Sequence, residues 1–310
     1  MVVEGALRPM STRVAAIDCG TNSIRLLVAD VSGSSLVDVD RRMEIVRLGE
    51  GVDRTGYLAP EALDRTMAAL RSYAEIVSST GASAVRMVAT SATRDASNSD
   101  EFVRRVKEIL GVAPSVLSGS EEARLSFLGA TASLSGGGPY LVTDIGGGST
   151  EFILGPYAAS VNIGCVRMSE RHLHSDPPTP AEIAAATADI DEALSQVAIS
   201  VPVGEARTLV GLAGSVTTIA GIALGLPVYD SARIHHSVIS AFDVHDVAQS
   251  LLAQTRASRA EIGVMHPGRV DVIGGGALIL DAIMTRFEFP EVLVSETDIL
   301  DGIAFGLASD

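Results

Sequence analysis

Two short stretches of this chain match one another: DCGTNSIR, from Asp18 to Arg25, and DIGGGSTE, from Asp144 to Glu151. Each follows an apolar run and leads into another, so each reads as strand, tight polar turn, strand. At an offset of 126 residues, Asp18 meets Asp144, Gly20 meets Gly146 and Ser23 meets Ser149. One supersecondary unit repeated in two halves is the mark of a duplicated domain. A single Asp-Gly turn between apolar runs is an ordinary hairpin signal. Two matched copies favour a pair of related lobes with a shared task.

The rest of the chain fits that plan. Strand-like apolar runs lie at 13–20, 23–30, 84–90, 139–146, 150–156 and 206–214. Helical patterns lie between them. Pro60 opens one in which Leu63, Met67 and Leu70 recur near helical spacing, and others cover 99–110, 120–134, 180–199, 215–224, 244–256 and 298–308. Strands alternating with helices predict an α/β fold. The 310 residues suffice for two domains. The Gly- and Ser-rich stretch 133–139 is the expected boundary, giving lobes 1–132 and 133–297. Residues 1–12 read as a loose lead-in, and Met10 is an alternative start.

Composition narrows the chemistry. The net charge of −15 argues against sequence-independent nucleic-acid binding, which needs a broad basic surface. No apolar run approaches a membrane span, and the start lacks a signal-peptide pattern. Two cysteines are too few for a disulfide framework, which fits a cytoplasmic protein. An anion would therefore be held by local devices. Successive backbone N–H groups in a Gly-rich turn make an anion-binding concavity. Glycine also permits close approach and positive φ. Thr21, Asn22, Ser23, Ser149 and Thr150 add side-chain donors. This is not a Walker loop, because the turn returns into a strand.

Acidic residues supply the rest. Asp18 and Asp144 end their strands, where a carboxylate can hold Mg²⁺ directly or through water. Where the first copy has Arg25, the second has Glu151. Strand alternation puts Glu151 on the side of Ser149, facing the expected cleft. There it would repel phosphate unless it held a metal, and the alternative is a plain exposed strand glutamate. In SGSEEARLSFLGA, 118–130, Ser118 and Glu121 have capping-box spacing. Glu122 has no such structural task. It is a candidate for polarising an attacking water, although the pattern alone reads first as a solvated glutamate. Cys19 and Cys165 read as small buried fillers. His172, His174, His235 and His236 read as solvated or structural. The glycines of 272–280 run into an apolar helix and read as a packing site.

AAIDCGTNSIRLLVAD, ATSATRDASN, SGSEEARLSFLGA, DIGGGSTEFILG, GLAGSVTTIA and VSETDILDGI occur in that order. Together they closely resemble the exopolyphosphatase / guanosine pentaphosphate phosphohydrolase family, within the superfamily of acetate and sugar kinases, heat-shock 70 and actin. The resemblance implies two ribonuclease-H-like lobes with an interlobe cleft, and a C-terminal helix, 298–310, returning to the first lobe. It implies hydrolysis of the terminal phosphoanhydride of polyphosphate or guanosine pentaphosphate. Mg²⁺ is the expected cofactor, with Mn²⁺ as a substitute and K⁺ as an activator. Carried over position by position, Glu122 is the catalytic base, and Asp144 and Glu151 assist the metal and the water. Thr21, Asn22, Ser23, Arg94, Gly146, Gly147, Gly148 and Ser149 contact phosphates, and Gly214 and Ser215 form a third loop. A homodimer is expected. Longer relatives carry further C-terminal domains, so this short form is expected to favour shorter chains. The rivals are a phosphotransferase acting from polyphosphate to ADP and a non-catalytic sensor.

Overall fold

The computed structural model describes residues 11–134 and 136–309. The expected lead-in therefore lies, up to residue 10, outside the described residues, and Thr12 already belongs to the first strand. The first half contains β1 (Thr12–Cys19), β2 (Ser23–Ser32), β3 (Ser35–Ile45), α1 (Val52–Thr55), α2 (Pro60–Thr80), β4 (Ala84–Ala89), α3 (Ser91–Asp95), α4 (Ser99–Leu110) and β5 (Ser115–Val116). Next come α5 (Gly119–Thr131), β6 (Tyr140–Ile145), β7 (Thr150–Leu154), β8 (Tyr157–Val161), α6 (Cys165–His172), α7 (Pro180–Ser200), β9 (Thr208–Leu212) and α8 (Ala213–Ala223). The chain continues through α9 (Ser231–Ile234), β10 (Val238–Ser240), α10 (Ala241–Ala253), α11 (Arg256–Ala260), α12 (Ile273–Arg286), β11 (Glu291–Val294) and α13 (Ile299–Ser309).

The strands form two sheets, ordered β3-β2-β1-β4-β5 and β10-β11-β9-β6-β7-β8. In both, a central strand has an antiparallel hairpin partner on one side and a parallel strand on the other: β1 lies between β2 and β4, and β6 between β7 and β9. The sequence repeat is thus a repeat of topology, the two-lobed plan of ribonuclease-H-like and actin-like proteins.

Each sheet is covered on both faces, as strands with long apolar runs require. On the first, Ile17, Ile24, Leu26 and Val28 meet Met67, Leu70, Tyr73 and Phe102 of α2 and α4. On its other face, Val14, Ala16, Leu27 and Ala29 meet Leu300, Ile303 and Ala304 of α13. The C-terminal helix thus crosses back to the first sheet. The second sheet buries Leu141, Phe152 and Leu209 against the larger helical layer that includes α7, α10 and α12. Its other face buries Val142, Ile153 and Val210 against Ala123 and Ala130 of α5. Helix α5, placed in the first lobe by a boundary at 132/133, packs Ala123 and Ala130 on the second sheet and Leu125 against the cluster of α13 and the first sheet.

Between the sheets, α5 and α13 cross backbone to backbone. A Cβ on Gly129 would lie 1.8 Å from the Asp298 carbonyl oxygen, and one on Gly302 would lie 2.0 Å from that of Leu125. Only glycine fits at this crossing. Among the described residues no helix is long and apolar enough to cross a membrane.

Candidate active site

The two matched turns close in the same way. The Gly20 N–H donates to the Ser23 carbonyl at 2.9 Å, and the Gly146 N–H to the Ser149 carbonyl at 3.0 Å. The turns also touch. A Cβ on Gly147 would lie 2.9 Å from the Thr21 Cβ, and one on Gly148 would lie 2.6 Å from the Ser91 Oγ. Beneath them, the Cys165 and Val166 N–H groups at the start of α6 donate to the Gly146 and Gly147 carbonyls, each at 2.9 Å. None of Gly20, Gly146, Gly147 and Gly148 has positive φ. Close approach, not left-handed backbone, is what requires glycine in the second turn. Thr21 is itself held by Ser91, hydroxyl to hydroxyl at 2.8 Å.

A cleft opens beside the two turns. Its walls include Thr21, Asn22, Ser23, Glu122, Asp144, Gly146, Gly147, Ser149, Gly214 and Ser215, all expected from sequence. Helix α5 brings Glu122 there. Ser118 caps it by accepting from the Glu121 N–H while the Glu121 carboxylate returns to the Ser118 N–H, so Glu121 is spent on the cap. Glu122, one residue further round, is nearly buried. The third loop is the β9–α8 junction, where Ala213 has φ +68°. Strained backbone at a non-glycine residue is characteristic of functional sites.

Three expected residues stand elsewhere. Gly148 is not on the cleft wall; it seats the second turn against Thr21 and Ser91. Arg94 does not line the cleft either. Its Nη1 donates to the Leu117 carbonyl at 2.9 Å and to Glu122 Oε2 at 3.2 Å, so it braces the glutamate. Glu151 was expected on the cleft wall, but it is 1% exposed and covered. It is opposite Asp144 in the β6/β7 ladder and opposite Ser160 in the β7/β8 ladder, and it accepts from the Ser160 hydroxyl at 2.7 Å.

Burial sets the electrostatics. Loss of water raises the Glu122 carboxyl well above its ordinary range, and the charges of Glu151 and Asp144 raise it further. Burial and Asp144 push Glu151 up to about 7. Burial and Asp298 push Asp144 up to about 6, against a Ser126 hydroxyl that donates to its Oδ2 at 2.7 Å. In the first lobe the matching position has a basic partner. Arg25 donates to Asp18 Oδ2 at 2.7 Å and also pairs with Asp298. The Asp18 Oδ1 is buried without a hydrogen-bond partner among the described residues.

Several cleft residues carried no recognised signal. Arg269 lines the wall with its guanidinium over Gly214, where a Cβ would lie 2.2 Å from its Cζ. Its one hydrogen bond among the described residues is a long one, 3.4 Å to the Thr218 hydroxyl, so its charge is available to an anion. Cys165, expected to be filler, is buried but also lines the cleft. The glycines of 272–280 do serve packing: a Cβ on Gly276 would lie 2.2 Å from the Ser215 Oγ. His172, expected to be solvated, contacts Asp189 through Nε2 at 2.8 Å. Ser126 and Ser160 were not anticipated at all.

Sequence and structure comparisons place the chain among known proteins. The profile of the Ppx/GppA phosphatase family matches residues 27–310. The chain is 50% identical over 315 residues to exopolyphosphatase 2 of Mycobacterium tuberculosis, covering 96% of this chain and 99% of that protein. A solved exopolyphosphatase-like protein superposes with a TM-score of 0.94 at 42% identity, over 97% of this chain and 98% of the other. The Aquifex aeolicus member of the Ppx/GppA family superposes with a TM-score of 0.81 at 29% identity, over 96% and 97%. With a match of this extent, and with the paired turns and buried carboxylates in place, the chain belongs to the Ppx/GppA phosphatase family.

Proposed function

We propose that this chain is an exopolyphosphatase, releasing orthophosphate from the end of an inorganic polyphosphate chain. The observation that supports this most is the Glu122 carboxyl, on a cleft wall between two Gly-rich donor turns, with Asp144 and Glu151 close behind it. The turns and Arg269 hold the terminal phosphates. Arg94 fixes the Glu122 carboxylate through one oxygen, leaving the other to accept a proton from an attacking water. The raised affinity of Glu122 for that proton suits a general base at neutral pH.

Residues for a divalent cation are present. Among the described residues no group of three or more His, Cys, Asp or Glu converges on one point. Mg²⁺ does not need one, since it uses one or two carboxylates plus waters and substrate phosphates. Asp144 and Glu151 would hold it, and the orphaned Asp18 Oδ1 would be free to accept a hydrogen bond from water. When bound, it would neutralise charge developing on the phosphate oxygens.

A second reading, guanosine pentaphosphate hydrolysis, has its own support. Past Arg25 and Arg269 the cleft continues into a pocket of about 490 Å³ walled by Val264, Met265 and Tyr229, with room for more than a phosphate chain. This proposal carries with it a cytoplasmic homodimer that binds neither nucleic acid nor membrane.

The test is phosphate release from polyphosphates of several lengths and from guanosine pentaphosphate, with and without Mg²⁺, for wild type and Glu122→Gln. Loss of a general base costs on the order of 10²–10⁴ in kcat. Near-normal turnover in the folded variant would remove Glu122 from that role. Substrate binding without phosphate release by wild type would favour a sensor, and ATP formation from polyphosphate and ADP a phosphotransferase.

A further inference from the structure

Helix α5 does more than present Glu122. Ser126 lies four residues further along, on the same helical face. Its hydroxyl donates to Asp144 Oδ2 at 2.7 Å, and both groups are buried. At the start of the same helix, Gly119 rests on Ser160. A Cβ there would lie 2.3 Å from the Ser160 Cβ and 2.7 Å from its Oγ. Ser160 faces Glu151 directly across the β7/β8 ladder and donates to its Oε1 at 2.7 Å. Asp144 is thus tethered through one oxygen by a serine that α5 carries, and Glu151 by a serine that α5 covers, with the Ser149 hydroxyl as a further partner.

We propose that Ser126 and Ser160 are positioning residues for the cation site, orienting Asp144 and Glu151 so that one oxygen of each faces the metal. The inference rests on the reading above of these two carboxylates as metal-holding. The physical reason is general. A carboxylate with both oxygens free rotates about its terminal bond, whereas one anchored by a short hydrogen bond presents its other oxygen in a fixed direction. Groups that orient metal ligands in this way typically set affinity by 10- to 100-fold. Neither serine touches the reacting phosphate, so their effect should reach catalysis through the metal.

The test measures Mn²⁺ binding directly, by electron paramagnetic resonance titration in saturating orthophosphate, beside Mg²⁺-dependent turnover. Ser126→Ala and Ser160→Ala are expected to raise the Mn²⁺ Kd about 10- to 100-fold. They should raise the Mg²⁺ concentration for half-maximal activity in parallel, with kcat largely recovered at high Mg²⁺. Glu122→Gln should do the opposite, losing kcat while keeping the Mn²⁺ Kd. An unchanged Mn²⁺ Kd in both folded serine variants would overturn the proposal, even if their melting temperatures fell. If Ser126→Ala does not fold, Ser160→Ala at the β7/β8 ladder decides. Wild type that binds no Mn²⁺, or binds it equally well as Asp144→Asn, would instead defeat the metal reading itself, and this inference with it.

Discussion

Gly129→Ala is a one-methyl change at the crossing of α5 and α13, and its effect can be worked from the backbone. The new Cβ would lie 1.8 Å from the Asp298 carbonyl oxygen and 2.9 Å from the Gly302 nitrogen. Both are main-chain atoms, so no rotamer change relieves the clash. An ordinary C···O contact is about 3.3 Å, so the helices must part by roughly 1.5 Å. Overpacking by a methylene or so costs about 1–3 kcal/mol, and a backbone-on-backbone clash belongs at or above the top of that range. Helix propensity returns up to about 1 kcal/mol. A net loss of about 2–4 kcal/mol follows, or a fall in Tm of about 5–10 °C. Because α5 also carries Glu122 and Ser126, a shift of this size should cost on the order of 10²-fold in kcat. Gly306→Ala, on the same α13 with open space around its Cβ position, is the control and should be neutral or slightly stabilising. Calorimetry and phosphate release on the two variants settle the matter. A Gly129→Ala protein as stable and active as Gly306→Ala would refute the close crossing and its coupling to the site.

Gly214→Ala makes a contrasting case, because its Cβ would meet only the mobile end of Arg269, 2.2 Å from Cζ. Tm should stay within about 2 °C while KM for polyphosphate rises several-fold as the guanidinium is displaced; an unchanged KM would mean that Arg269 does not meet substrate. Stability of the metal-free protein should fall as pH rises. Glu151 and Asp144 have pKa values of about 7 and about 6 when folded, against ordinary values of 4.5 and 3.8, so between those limits the folded state holds protons that the unfolded chain has lost. The stability these groups contribute is complete near pH 4 and is lost by about pH 7. Melting curves of wild type should therefore decline across this window more steeply than those of Glu151→Gln, with Mg²⁺ restoring Tm above pH 7. Parallel curves for the two proteins would contradict the burial argument.

The repeat, the α/β order and most cleft residues were legible because they depend on local chemistry. A strand–turn–strand announces itself by pattern, and Ser118 with Glu121 announces a helix start, which by elimination left Glu122 unassigned. What stayed hidden depends on which surfaces meet in space. Strand β3, with its DVDRR run, is an exposed edge whose charges mask the strand period. Helix α5 precedes the Gly-rich linker in sequence, yet Ala123 and Ala130 pack on the second sheet while Leu125 meets the first. The SATR motif marked Arg94 as a phosphate contact, but not that its Nη1 would also hold the Leu117 carbonyl and Glu122. Ser126 and Ser160 are ordinary residues of a helix and a strand until the ladder register and the helix seat place carboxylates beside them.

The divergence between the two copies becomes a matter of register. In the first lobe the ladder pairs Asp18 with Arg25, and in the second it pairs Asp144 with Glu151, at the same distance from the same turn. In the first lobe Arg25 pairs with Asp18 and also with a second carboxylate, Asp298, offsetting part of their charge. The acid–acid pair has no hydrogen-bonded basic partner, and burial raises both pKa values against the opposing charges of Arg25 and Arg94. Such a pair is stable at neutral pH only with a proton or a cation between or beside its members. A basic side chain at one ladder position and an acidic one at the other is enough to leave the second hairpin with the greater demand for positive charge. That demand arises beside the turn at 146–149, which lines the cleft, and the matching turn of the first lobe, with Arg25 next to it, is the one we propose mainly holds phosphate.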